Sequence, residues 1–172
     1  LIVDGGALDG LKHPWKKFVQ YVSVVAFEPQ VGHAEMVQKR RVMPSSSFTL
    51  DPVALYDSQK SDTSFYITTQ PDNSSLLEPN FEVLREFGFK NKFEIVKRVT
   101  VPTDTLDAQL EKHSISFVDF IKVDTQGSEL SILKGASDTL NHSVFGVEVE
   151  VNILERYKGQ NYFSDVDTFL RL

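Results

Sequence analysis

The sequence predicts an α/β domain whose mostly parallel central sheet carries helices on both faces. Three observations lead there. The chain opens on a short apolar run, Leu1-Ile2-Val3, that passes through Asp4 into a glycine-rich turn, Gly5-Gly6-Ala7-Leu8-Asp9-Gly10. Segments of strand and helix character then alternate, the pattern of parallel strands joined by crossover helices. Late in the chain, Phe117 to Val123 is an almost continuous apolar run closed by Asp124, as expected of a strand buried on both faces.

Each element has its own signal. Pro14 suits the first turn of a helix reaching toward Tyr21. Val22 to Phe27 reads as the second strand and ends at Glu28-Pro29. A helix around His33 to Arg40 and a strand around Phe48 to Leu55 continue the alternation. Ser64 to Thr69 is an extra strand or hairpin arm between polar stretches. Pro79-Asn80 opens a helix through Phe87, which Gly88 stops. Phe93 to Val101 is strand-like, and Asp104 or Thr105 caps a helix running to about His113. After the Asp124 strand, Thr125-Gln126-Gly127 turns into a helix from Ser128 to Lys134. Gly135 ends or interrupts that helix, and Ala136 to Leu140 add a further turn. Val144 to Val151 is another strand, and Ser164 with Asp167 forms a capping-box-like start for the last helix.

At 172 residues there is room for one core and little more, so residues 1–172 read as a single domain. The chain starts inside an apolar run and stops inside a helix-like segment, which leads us to expect a domain trimmed at both ends. A net charge of −6 argues against a nucleic-acid partner, because phosphate binding needs clustered Lys and Arg. The short basic run Lys39-Arg40-Arg41 reads as a solvated helix end. The lack of cysteine excludes disulfides and thiolate chemistry and fits a cytoplasmic address. No apolar run approaches the roughly 20 residues of a membrane helix.

The chemistry concentrates at strand ends. Glycines after a parallel strand let the backbone turn sharply and leave room for a ligand. Glu28 closes the second strand where nucleotide-binding folds place an acid for the ribose hydroxyls. A dinucleotide fingerprint wants glycines that cradle a pyrophosphate, whereas this loop carries Asp4 and Asp9. Two carboxylates suit a sulfonium and an amino group better, so S-adenosylmethionine is the expected cofactor. A nicotinamide-dependent oxidoreductase and a non-catalytic cofactor-binding domain stay open beside that reading.

Several stretches together resemble the FkbM-type methyltransferases. They are Val3-Asp4-Gly5-Gly6-Ala7-Leu8-Asp9-Gly10, Phe27-Glu28-Pro29, Ala54-Leu55-Tyr56-Asp57, Ser74-Ser75-Leu76, Thr105-Leu106-Asp107, Asp119 through Glu129, Leu133-Lys134-Gly135-Ala136 and Glu148-Val149-Glu150-Val151. Lys122 to Glu129 is the most specific part. The resemblance implies a Rossmann-like class I methyltransferase fold that moves a methyl group from S-adenosylmethionine to a hydroxyl of a sugar or natural product. It implies that Asp4, Gly6, Ala7 and Gly10 hold the cofactor's amino-acid end, that Glu28 takes the ribose, and that Ala54 to Asp57 lie near the adenine. The sequence departs from the family at Gly5, where an apolar residue is usual, and the family's C-terminal strand pair is expected to lie beyond Leu172.

Asp124 closes its strand at the carboxyl edge, where ligands sit in open α/β sheets, and is the first candidate for a base or for orienting the acceptor. Lys122 lies two residues earlier on the same side of the strand and either pairs with a carboxylate or snorkels. Glu148 and Glu150 share a strand face about 6–7 Å apart, one of them able to reach the site. Asp124, Glu150 and Lys122 are therefore the candidate catalytic groups. Glu129 suits either the helix dipole or the site. Ser74 and Ser75 are candidate pocket-lining residues. His13, His33, His113 and His142 lack metal-pair spacing, and no metal ligands are assigned.

Overall fold

The computed structural model describes residues 1–8, 15–30 and 48–171 of the chain. The predicted helix at 33–40, the basic run at 39–41, Pro14, and Asp9 and Gly10 of the glycine turn lie outside the described residues.

Five strands form the central sheet: β1 (Ile2–Gly5), β2 (Val24–Phe27), β3 (Phe48–Asp51), β7 (Phe120–Val123) and β8 (Gly146–Val149). Their order is β3-β2-β1-β7-β8 and every neighbouring pair is parallel. The second sheet, in the order β4-β6-β5, contains β4 (Ala54–Leu55), β5 (Lys60–Thr68) and β6 (Ile95–Asp104). Five α-helices complete the described part: α1 (Phe81–Glu86), α2 (Leu106–Lys112), α3 (Glu129–Lys134), α4 (Ser137–His142) and α5 (Phe163–Leu170).

Alternation along the strands decides what each face of the central sheet buries. Val3, Val25, Ile121 and Val123 point to the face where Leu106 and Leu110 of α2, Ile132 of α3 and Ala136 close the main core. Ile2, Val24 and Ala26 point to the other face, where Trp15 and Phe120 pack with ring centroids 4.5 Å apart. Helix α5 rests on α3 through Val166, Leu130 and Leu133. This is the predicted α/β, Rossmann-like arrangement.

Three elements differ from expectation. The strand expected over 48–55 breaks at Pro52, which has no N–H for a ladder. Its halves, β3 and β4, join different sheets. The helix expected to reach Tyr21 is two 3-10 turns, Trp15–Lys17 and Val19–Tyr21, in a stretch rich in aromatic and β-branched residues of low helix propensity. The last helix starts at Phe163, and its cap is Tyr162 with Asp165 rather than Ser164 with Asp167. Its first turn is closed by the Asp165 carboxylate, which accepts the Tyr162 N–H at 2.8 Å, while Asp167 instead pairs with Arg171.

Other signals hold. Ser64–Thr69 falls within an antiparallel ribbon arm, β5 paired with β6. Thr105 caps α2, its Oγ1 accepting the Ala108 N–H at 3.2 Å. Gly135, at the junction of α3 and α4, lies directly against the end of β4: a Cβ there would sit 2.2 Å from the Tyr56 carbonyl oxygen. Because that oxygen is backbone, Gly135→Ala should force the helix pair off the sheet and cost about 1–3 kcal/mol, as overpacking of a close contact does. Thermal or denaturant unfolding of the variant checks this.

Candidate active site

The functional residues gather at the carboxyl edge of β1, β2 and β7, where the glycine turn brings two backbones together. Gly6 has φ +82°, and a Cβ on it would lie 2.0 Å from the Asp124 carbonyl oxygen. Only glycine lets these two strand ends approach so closely. The N–H groups of Gly6 and Ala7 both donate to the Phe27 carbonyl, at 3.2 and 3.3 Å, and the Asp124 N–H donates to the Gly5 carbonyl at 3.0 Å. The turn, the end of β2 and the end of β7 are thus one hydrogen-bonded unit.

Against this unit lies a cleft between the strand ends and the second sheet. Its walls are apolar: Phe27, Val53, Ala54, Leu55, Phe65 and Leu76, the last four from β4, β5 and the connection after β5. Its polar groups include Glu28, Asp72, Ser74, Asp124 and Gln126. Glu28 is buried, its Oε1 accepting the Gln30 N–H at 3.0 Å. Burial, helped by the nearby charge of Asp4 and opposed by the Gln30 bond, pushes its carboxyl up to about 7.

A second, polar cleft adjoins the first and shares Gly6, Leu8, Asp72, Asp124 and Gln126 with it. Glu150, Arg156 and Asn73 complete its lining. Here Gln126 holds the centre in the left-handed region, φ +63°, strained for a residue other than glycine. Its Nε2 donates to Asp124 Oδ1 at 3.0 Å and to Glu150 Oε2 at 2.7 Å. Two carboxylates leave no doubt about the amide's direction, since only its nitrogen end donates. Its Oε1 lies 3.1 Å from the Tyr157 hydroxyl, and its carbonyl accepts the Ser75 hydroxyl at 2.7 Å. Arg156 donates to Glu150 Oε1 at 2.8 Å. Burial first, then the charge of Asp124, raises the Glu150 carboxyl to about 7 against the pull of Arg156. Burial also pushes the Tyr157 phenol up, so it stays protonated as a donor.

The expected residues divide into those that face the clefts and those that do not. Gly6, Glu28, Asp124 and Glu150 face them, as do Ala54 and Leu55. Lys122, expected among the catalytic groups, does not: its Nζ is 2.8 Å from Asp4 Oδ1, both side chains at or below 5% exposure. The parallel register places Asp4 opposite Lys122 on neighbouring strands, so the ammonium is held by the carboxylate beneath the cleft. Asp4 is not part of the lining of either cleft, and its carboxylate holds the Lys122 ammonium. Ala7 is fully buried in the core of the Ile2 face, its N–H committed to Phe27. Asp57 is exposed and bonded to Ser58, away from the lining that Ala54 and Leu55 form, because the chain turns out of the site once β4 ends. Glu148 accepts the Trp15 indole N–H at 3.0 Å. Glu129 braces the β7 turn, accepting the N–H groups of Thr125 and Gly127 at 2.9 Å, and burial raises its carboxyl. Ser74 lines the apolar cleft, while Ser75 ties β5 to Gln126. Gln126, Arg156, Tyr157 and Asp72 were not foreseen as site residues. The nearest signal was a charged and aromatic pair, Arg156-Tyr157, in an irregular segment just past a strand's carboxyl end.

Two outcomes follow from these charges. Asp4→Ala strands a buried ammonium and should cost about 3–5 kcal/mol, while Asp4→Leu combined with Lys122→Met should recover much of that loss. Chemical denaturation of the single and double variants measures it. Glu28 carries a raised folded-state pKa, so it binds protons more readily folded than unfolded and weakens the fold as pH rises from about 4.5 to about 7. Glu28→Gln should therefore stabilise the ligand-free chain at pH 8 by up to about 3 kcal/mol and change little at pH 4, read from unfolding at both values.

Among the described residues no helix is long and apolar enough to cross a membrane. No curated protein and no solved structure matches the chain significantly. The profile of the Methyltransferase FkbM domain matches residues 4–172, nearly the whole length, and with it both clefts, the glycine turn and the Gln126 loop. The chain belongs to the FkbM methyltransferase domain family.

Proposed function

We propose that this chain transfers a methyl group from S-adenosylmethionine to a hydroxyl of a small molecule, a sugar or another natural product. The observation that carries the reading is the pairing of two clefts across one seam. One is apolar with a buried carboxylate at the end of β2, and the other is polar with carboxylates at the ends of β7 and β8.

The apolar cleft fits an adenosine. Glu28 would accept both ribose hydroxyls, Ala54 and Leu55 would lie against the adenine, and the side-chain-free Gly6 leaves space at the turn for the amino-acid end. When bound, the cofactor supplies a methyl group made electrophilic by its sulfonium. The protein's own part is to position the acceptor and to take its proton. A hydroxyl is a poor nucleophile near neutral pH, so a base or a metal ion must assist. Asp124 lines both clefts and Glu150 lines the polar one, and together they supply carboxylates where the acceptor oxygen must approach. As the acceptor oxygen is methylated, Asp124 or Glu150 would take its proton. Asp72, Asn73 and Arg156 would hold the acceptor's remaining hydroxyls. A cysteine-free chain is compatible with work in the reducing cytoplasm.

Calorimetric titration with S-adenosylhomocysteine tests the reading. Micromolar binding is expected at pH 8, with Glu28→Ala weakening it at least about tenfold, the loss of one charge-assisted hydrogen-bond pair. Because the ribose hydroxyls favour the ionised carboxylate, wild-type affinity should fall as pH drops below about 7. A folded wild-type chain that does not bind S-adenosylhomocysteine would defeat the proposal.

A further inference from the structure

We propose that Gln126 is a positioning residue that clasps Asp124 and Glu150 into a single proton-accepting pair for the methyl acceptor. The inference rests on the methyltransferase reading and adds how its base is built.

The geometry is specific. One amide nitrogen reaches both carboxylates, at 3.0 and 2.7 Å, spending both of its hydrogens on them. The other end of the amide lies 3.1 Å from the hydroxyl of buried Tyr157, whose single proton it shares with the Asn73 carbonyl at 2.8 Å. The backbone is fixed by Ser75. The left-handed φ of Gln126 goes with a side chain turned back between the ends of β7 and β8. An uncharged donor between two acids lets them sit close while at least one stays ionised, and two such acids hold their first proton jointly.

Among the described residues the groups facing the pair are few. Arg156 pairs with Glu150, and Glu129, Tyr157 and Asp72 are the other titratable neighbours around Asp124, Glu150 and their cleft. Among the described residues Arg156 is the cation facing them, so the pair and its counter-ion carry net negative charge once both acids are ionised. That suits it to receive the acceptor's proton as the acceptor oxygen bonds to the methyl carbon.

The test is carboxyl carbon-13 NMR of the full chain across pH 4 to 9, with Asp124→Asn and Glu150→Gln used to assign the signals. Two variants remove the clasp: Gln126→Leu, and Gln126→Asn, which is too short to span both acids but tolerates the left-handed backbone. In the wild type the Glu150 signal should titrate near 7. In either variant the higher midpoint should rise by about one pH unit, because hydrogen bonds to the ionised form are lost. Midpoints unmoved in a folded variant would overturn the clasp and leave Gln126 a purely structural turn residue. Absent S-adenosylhomocysteine binding by the wild type would instead strike the cofactor reading, while the titration still decides the clasp.

Discussion

A backbone without a side chain governs this site. At Gly6 the turn after β1 runs so close to the Asp124 carbonyl that any Cβ would occupy the same space. That approach ties the carboxyl ends of β1, β2 and β7 together through the Phe27 and Gly5 carbonyls. It also places Asp124 beside a cavity whose opposite wall is the second sheet. If the strand ends spread, the apolar cleft would open to water and its seam with the polar cleft would be lost. The geometry of both halves is therefore downstream of one permissive position.

Electrostatics divide the acids into those that build and those that face the clefts. Asp4 is matched by Lys122 beneath the sheet end, and Glu129 is spent on the N–H groups of the turn. Each is satisfied within the protein, as buried charge must be. Glu28 and Glu150 are different: both are buried enough to be raised to about 7, yet both look into a cleft. Groups held at such a cost to the fold are the ones a ligand would relieve, which is why perturbed acids cluster at functional sites.

Much of this was legible in the sequence because strands announce their ends. Apolar runs closed by Asp4, Glu28 and Asp124 place three acids at one edge of a parallel sheet, and the glycines after the first run mark the turn. What escaped notice depends on register or on irregular chain. Lys122 and Asp4 are 118 residues apart and meet only because β1 and β7 are neighbours, so a lysine that looks functional becomes a counter-ion. Gln126 reads as a turn residue until its left-handed φ aims it between two strands. Arg156 and Tyr157 come from a segment without periodicity, and Pro52 splits a run that looks continuous by composition. Asp57 follows Ala54 and Leu55 closely in sequence, yet the end of a two-residue strand is enough to turn it to solvent.

The central claim is that the apolar cleft is an adenosine site with Glu28 at the ribose. A crystal structure of the chain with S-adenosylhomocysteine tests it most directly. The account requires both ribose hydroxyls within hydrogen-bond distance of Glu28, the adenine against Ala54 and Leu55, and the sulfur turned toward Asp124. Density for the ligand elsewhere, or a ribose held away from Glu28, would contradict it.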